Sequence, residues 1–208
     1  MERRKFLATT ATVIPAAVFG ANSLNVLSNA QKKTSDMLLP FYVPFKNAFQ
    51  PGPCGIDIRT LVKSASTNAQ YSSTETAVVA KLMGPPPHAH KELDEIVYVT
   101  EGVCTVWIDE KVYAVKSKEW FFMPRNSIHT FWNAENEPLN FIGMYFNQNF
   151  EDYLEELFHK IIPNMVSKNL SPMDKNVIDQ MNDLNNRFGV TMYPEKRQAL
   201  IEKYGLKG

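Results

Sequence analysis

From Ile58 to Asn147 the chain alternates short runs of β-branched and aromatic residues with Gly, Pro, Asn and Ser. The runs are Ala77 to Met83, Glu95 to Thr100, Thr105 to Ile108, Val112 to Val115, Trp120 to Pro124, His129 to Trp132 and Phe141 to Phe146. Many short strands at such spacing predict an all-β sandwich or barrel. There is no internal repeat, so the segment 57–148 reads as one unit.

After Asn147 the apolar period changes to that of a helix. Asn149 is a candidate cap for a helix with Phe150, Leu154, Leu157, Phe158 and Ile161 on one face, Glu151 and Asp152 in its first turn and Pro163 as its stop. Ser171-Pro172 is expected to open a second helix, striped by Met173, Val177, Met181, Leu184 and Phe188 and ended by Gly189. Pro194 opens a third, which closes at Gly205. Stripes at this spacing are read as packing surface, so the extension 149–208 is expected to cover the barrel or to meet a partner copy.

The other end has a different character. Arg3, Arg4 and Lys5 precede a stretch from Phe6 to Gln31 without charge, interrupted by Pro15 and Gly20. That stretch is too polar for a membrane span and fits an export signal, with cleavage expected after Ala30 or near Ala21 to Leu24. Arg3-Arg4-Lys5-Phe6-Leu7 is similar to a twin-arginine signal, although Glu2 and Ala8 depart from that pattern. The protein is therefore expected to be exported, periplasmic or secreted, with no membrane partner once residues 1–30 are removed. Residues 31–56, with four prolines and with Phe41, Tyr42, Phe45 and Phe49, read as an extended arm along a sheet.

Composition narrows the partners. The 208 residues include 22 basic and 22 acidic side chains, and removal of the signal takes three of the basic groups and one acidic group, leaving a slightly acidic protein. Such a balance excludes a nucleic-acid groove, which needs an excess of Lys and Arg. Hydrophobic residues at 44% supply enough apolar surface for one core and exclude a disordered chain. Two cysteines, Cys54 and Cys104, are too few for a disulfide framework, and whether they pair is left open. Cys104 is read as a small buried residue.

The chemistry lies in the histidines. Of the four, His88, His90 and His129 fall in the β-rich segment. Side chains two apart on a strand share a face, so His88 and His90 project together. Alternation puts Val97 and Val99 on the face of Glu95, and Ile96 and Tyr98 on the other. In a closed barrel these three imidazoles and the Glu95 carboxylate can converge on one interior point. His159, on the amphipathic helix, is read as a surface or packing residue.

Pro87-His88-Ala89-His90-Lys91-Glu92-Leu93-Asp94-Glu95 with Gly102, followed by Pro124-Arg125-Asn126-Ser127-Ile128-His129 with Asn133, resembles the two motifs of the cupin superfamily. The resemblance covers residues 56–150. It implies a jelly-roll barrel (a double-stranded β-helix) with a C-terminal helical extension. It also implies that His88, His90, Glu95 and His129 hold one divalent metal ion, with Fe, Mn, Ni, Cu and Zn all compatible. Glu95 is selected over Glu92 and Asp94 by the family spacing alone. Two positions depart from the motif: Lys118 stands where Gly is usual, implying a different turn before Trp120, and Asn126 replaces a turn Gly.

Four protein ligands leave an open coordination position, which marks a catalytic or ligand site. Trp107, Phe122, Met123, Phe131, Tyr145 and Phe146 surround it in sequence, and about half are expected to face inward. Phe131, Val97 and Phe122 are the expected substrate-pocket residues. Such walls suit a planar organic substrate better than a free sugar. The prolines before His88, the Thr67–Thr76 segment and the helical tail are similar to single-domain quercetin-dioxygenase-like cupins. That resemblance implies a dioxygenase-type oxidoreductase acting on an aromatic or enolic small molecule, with Glu95 as ligand and proton acceptor. Two alternatives stay open: a non-catalytic small-ligand-binding module and a germin-like Mn oxidase with a smaller, more polar pocket. A homodimer is implied by the resemblance only.

Overall fold

The computed structural model describes residues 37–44 and 46–208. The expected export signal, its cleavage points and Phe45 of the arm lie outside these residues. Residues 37–44 carry no regular element, and their apolar side chains, Met37, Leu39 and Tyr42 above all, face solvent. The arm touches the sheet further on, where Arg59 stacks on Phe49 and donates to the Asn47 carbonyl.

Among the described residues ten strands form two five-stranded sheets. The first has the order β1 (Ile56–Val62), β2 (Tyr71–Val78), β9 (Leu139–Phe146), β4 (Asp94–Glu101) and β7 (Trp120–Met123). The second has the order β10 (Val190–Met192), β3 (His88–His90), β8 (His129–Asn133), β5 (Val103–Ile108) and β6 (Lys111–Lys116). Every ladder between these strands is antiparallel. Alternation is strict where one face is buried: Leu139, Phe141, Gly143 and Tyr145 of β9 point in, as do Glu95, Val97 and Val99 of β4. The inward residues of both sheets meet in a core of Val78, Val97, Val99, Cys104, Val106, Leu139 and Phe141. At about 25 cal/mol per Å2 each such side chain contributes roughly 1.5–3 kcal/mol. Cys104 is fully buried there and both cysteines are free.

Several boundaries differ from the expectation. The strand expected over Ala77 to Met83 instead runs from Tyr71 to Val78. Its polar run Ser72-Ser73-Thr74 is buried all the same, because small hydroxyl side chains fit between sheet neighbours and Thr74 Oγ1 lies 3.1 Å from the Tyr145 hydroxyl. Strand β10 was not foreseen, since three residues between Gly189 and Pro194 are too few to show a period. The turn before Trp120 keeps a left-handed residue even though it is Lys118, with φ of 72°. The Lys118 amide donates to the Val99 carbonyl at 2.7 Å, which holds that geometry without glycine. Asn126 is left-handed as well, with φ of 65°, a conformation its side chain tolerates.

Pro163 does not stop the first helix. The α-helix α1 (Phe150–Glu156) widens into a π-helical turn at Leu157–Ile161 and continues as α2 (Ile162–Ser167). Proline lacks an N–H and clashes with the carbonyl four residues back, and the wider turn, in which the Ile162 amide reaches the Leu157 carbonyl, absorbs both problems. The next helix, α3 (Lys175–Phe188), begins after Asp174, whose carboxylate accepts from the Ser171 amide at 2.6 Å. Met173 therefore precedes the helix and is exposed, outside the stripe assigned to it. Gly189 ends α3 with φ of 62°. A single tight turn, Pro194–Lys196, leads into α4 (Arg197–Tyr204).

These helices cap the barrel in two places. Phe150, Tyr153 and Ile161 join Leu184 and Phe188 of α3 over Leu93 and Tyr145, at the mouth nearest the histidines. Leu200 and Leu206 pack with Trp107, Trp132 and Met83 on the outer face of the second sheet. Among the described residues no helix is long and apolar enough to cross a membrane.

Candidate metal centre

His88 and His90 leave β3 on the same side, two positions apart, and His88 sits directly opposite His129 of β8. The next ladder puts His129 opposite Ile108, so Phe131 and Asn133 follow His129 on the inner face. One ligand nitrogen from each of the three rings lies within 4.8 Å of the others. All three imidazoles are buried, His90 at 1% exposure and His129 at 2%.

The second partner of each ring shows which nitrogen is free. His88 Nδ1 meets the Pro86 carbonyl at 2.9 Å and His129 Nδ1 meets the Ser127 carbonyl at 3.0 Å. A carbonyl only accepts, so both Nδ1 atoms carry the proton and both Nε2 lone pairs point to the shared centre. His129 Nε2 and both nitrogens of His90 are buried without a hydrogen-bond partner. Burial and the neighbouring His129 push His88 down to about 3. Burial, with His88 and His129 alongside, also drives His90 well below the ordinary histidine range, and burial lowers His129. Neutral imidazoles with orphaned lone pairs at one point are what a metal ion requires, and leaving them unpaired is costly otherwise.

Glu95 enters from the other sheet. Its register, opposite Tyr145 on β9 and Met123 on β7, aims the carboxylate inward. Its Oε2 lies 3.8 Å from His129 Nε2 and 3.9 Å from His90 Nε2. Metal bonds of about 2.1 Å set neighbouring donors roughly 3 Å apart, so a contraction of under about 1 Å per pair would bring the carboxylate into the set. Burial alone pushes Glu95 up to about 8. By contrast, Glu92 is exposed, and Asp94 accepts two hydrogen bonds at 3.0 Å from Arg125, whose guanidinium holds it below the usual carboxylate range. His159 lies apart, its Nε2 3.2 Å from the Ile58 carbonyl and 3.4 Å from Asp57.

The centre opens into a cavity of about 340 Å3. Phe131, named as a pocket residue, lines it together with Met123 and Tyr145. Phe122 does not: Met123 pairs with Glu95, so alternation turns Phe122 to the outer face, where it is 54% exposed. Trp107 points outward under α4, and Phe146 stacks near Tyr71 on the outside. Val97 is inward but sealed in the core beneath, away from the cavity wall. Much of the wall comes instead from the tail, through Phe150, Tyr153, Leu157, Met181, Met192 and Arg197. Phe150 also meets the His90 ring edge-on at 4.9 Å. The amphipathic stripes were the signal for Phe150, Leu157 and Met181, but periodicity cannot tell a face that closes a core from one that closes a cavity; nothing in the sequence pattern marked Tyr153, Met192 or Arg197.

Two five-stranded antiparallel sheets with a buried histidine cluster between them define a cupin barrel. Residues 78–145 match the cupin domain family, Cupin_2. No curated protein matches the chain. Among solved structures, KdgF from Halomonas sp. is 16% identical with a TM-score of 0.43, over 50% of this chain and 88% of that one. An oxalate oxidase is 22% identical with a TM-score of 0.43, over 57% of this chain and 64% of that one. A sugar phosphate isomerase of the cupin superfamily from Silicibacter pomeroyi is 20% identical with a TM-score of 0.38, over 44% of this chain and 60% of that one. Likenesses of this degree carry no weight for what the chain acts on.

Proposed function

We propose that this is a metal-dependent, dioxygenase-type oxidoreductase acting on an aromatic or enolic small molecule. The observation that carries the reading is the cluster of orphaned, neutral imidazoles at the floor of an apolar cavity. His88, His90, His129 and Glu95 would hold one divalent ion. Such an ion would supply Lewis acidity to an enol or phenol oxygen and, when it is one of the redox-active members Fe, Mn, Ni or Cu, a route to dioxygen, both of whose atoms enter the product.

The chain's own groups do the rest. Glu95, which as a metal ligand would be ionised and which burial makes a stronger base than an exposed carboxylate, is placed to take the proton released by the substrate hydroxyl. Phe131 and Tyr145 form walls for a planar ring, and Phe150 with Tyr153 keeps bulk water from the site. The apolar wall weighs against a small polar acid and hence against the germin-like alternative. A binding module without turnover remains the competing reading, and oxygen uptake separates the two. Export rests on the pattern of residues 1–30, and pairing as a homodimer on the resemblance.

Metal analysis of the purified chain with an oxygen-electrode screen of phenols and enols tests the proposal. Wild type is expected to carry about one divalent ion per chain. The variants His90→Ala and His129→Ala are expected to lose most of the metal and all oxygen uptake while remaining folded. Oxygen consumption that survives the loss of both histidines overturns the reading.

A further inference from the structure

The cavity runs from His88 and Glu95 to Arg197, the first residue of α4. Histidines aside, Arg197 is the only basic residue in its wall among the described residues. The guanidinium is half-buried, and its Nη1 donates to the Gly84 carbonyl at 2.6 Å. Gly84 begins the segment Gly84-Pro85-Pro86-Pro87 that leads into His88, so the charge is tied to the strand that carries the centre. The other charged groups of this region pair elsewhere; the neighbouring Lys196, for example, reaches Glu110 at 3.4 Å. No side-chain carboxylate among the described residues forms an ion pair with Arg197, and Gly208, which shares the cavity wall, lies beside its Nη2.

An arginine at the edge of an apolar cavity without a counter-ion is an unfavourable arrangement unless something anionic comes to it. Its fork has five donors, one of which is committed to Gly84, and the remainder match a carboxylate side by side. A single cation in an otherwise apolar wall suits one negative charge on an apolar body, not a phosphate ester or a diacid. We propose that Arg197 anchors the acid group of the substrate, so that the cavity takes a small aromatic monocarboxylate with its head on the guanidinium and its body against Phe131. This deepens the reading of the cavity as a substrate site and rests on it.

The probes are 1-naphthoate and its neutral isostere 1-naphthamide, titrated calorimetrically into the metal-loaded full chain. Naphthoate is expected to bind about tenfold or more tightly than naphthamide, with an affinity that falls as salt rises, while naphthamide is indifferent to salt. The preference is expected to persist after the metal is removed by chelation, which separates Arg197 from direct coordination of the acid. Arg197→Met is expected to abolish the preference at unchanged metal content, and Arg197→Lys to retain part of it. The anchor is refuted if wild type binds the two probes equally or binds neither, if chelation erases the preference, or if Arg197→Met keeps it. Should Arg197→Met fail to fold, the salt dependence and the chelated wild type still decide. Oxygen uptake and metal content measured on the same wild-type samples distinguish the failures: absence of the acid preference in wild type with both intact removes the anchor alone, and absence of oxygen uptake in wild type with the preference intact removes the dioxygenase reading alone.

Discussion

Individual side chains show how far chemistry can be read from spacing. His88 and His90 were legible as a pair because a two-residue interval on a strand leaves no choice of face, whereas His129 was joined to them by the resemblance. The pocket residues were not: Phe122 and Met123 are adjacent aromatic and apolar residues, and only pairing with Glu95 shows which one turns inward. Lys118 is a second example, since a motif position that prefers glycine keeps its backbone shape at a cost instead of changing it. A non-glycine residue in the left-handed region is strained by about 1–2 kcal/mol, of which glycine's greater freedom in the unfolded chain takes back roughly 0.5–1. Lys118→Gly is therefore expected to raise stability by up to about 1 kcal/mol, seen as a higher urea midpoint with an unchanged slope. A lower midpoint would show that the Lys118 side chain contributes something beyond the turn.

Strands and helices differ in how much of their role they declare. Strict alternation in β4 and β9 announces which side is core, whereas the short strands β3 and β10 are strands only because the sheet order places them beside β8 and each other. The first helix shows the same limit. Its apolar face was visible, but its continuation through Pro163 depends on a widened turn that no local pattern reveals. Phe150 joins element to site, packing on Tyr145, Tyr153 and Phe188 while touching His90. Phe150→Ala is expected to destabilise the protein by about 3–5 kcal/mol and to release bound metal faster, measured as chelator-driven loss. An unchanged release rate would mean that α1 does not shield the centre.

The two sheets together create an electrostatic situation that neither has alone. Glu95 comes from one and the histidines from the other, and both kinds of group are held neutral by burial. For the metal-free protein the sign follows directly. Glu95 titrates near 4.5 when unfolded and at about 8 when folded, so its contribution is full below the first value and is lost as pH rises toward the second. Between about pH 6.5 and 8 chelated wild type should lose about 2 kcal/mol of stability, and Glu95→Gln should flatten that decline. A wild-type slope that survives in Glu95→Gln would place its origin elsewhere. The β class, the inward pair His88 and His90, and the helical character of the tail follow from local periodicity, because the repeat of a strand or helix is a property of neighbouring residues. The meeting of Glu95 with His129, the outward turn of Phe122, the bend through Pro163 and the placing of Arg197 at the cavity wall depend on register and on packing between distant segments. Those contacts satisfy buried groups and fill space only when the whole barrel closes, so no short stretch of chain carries them.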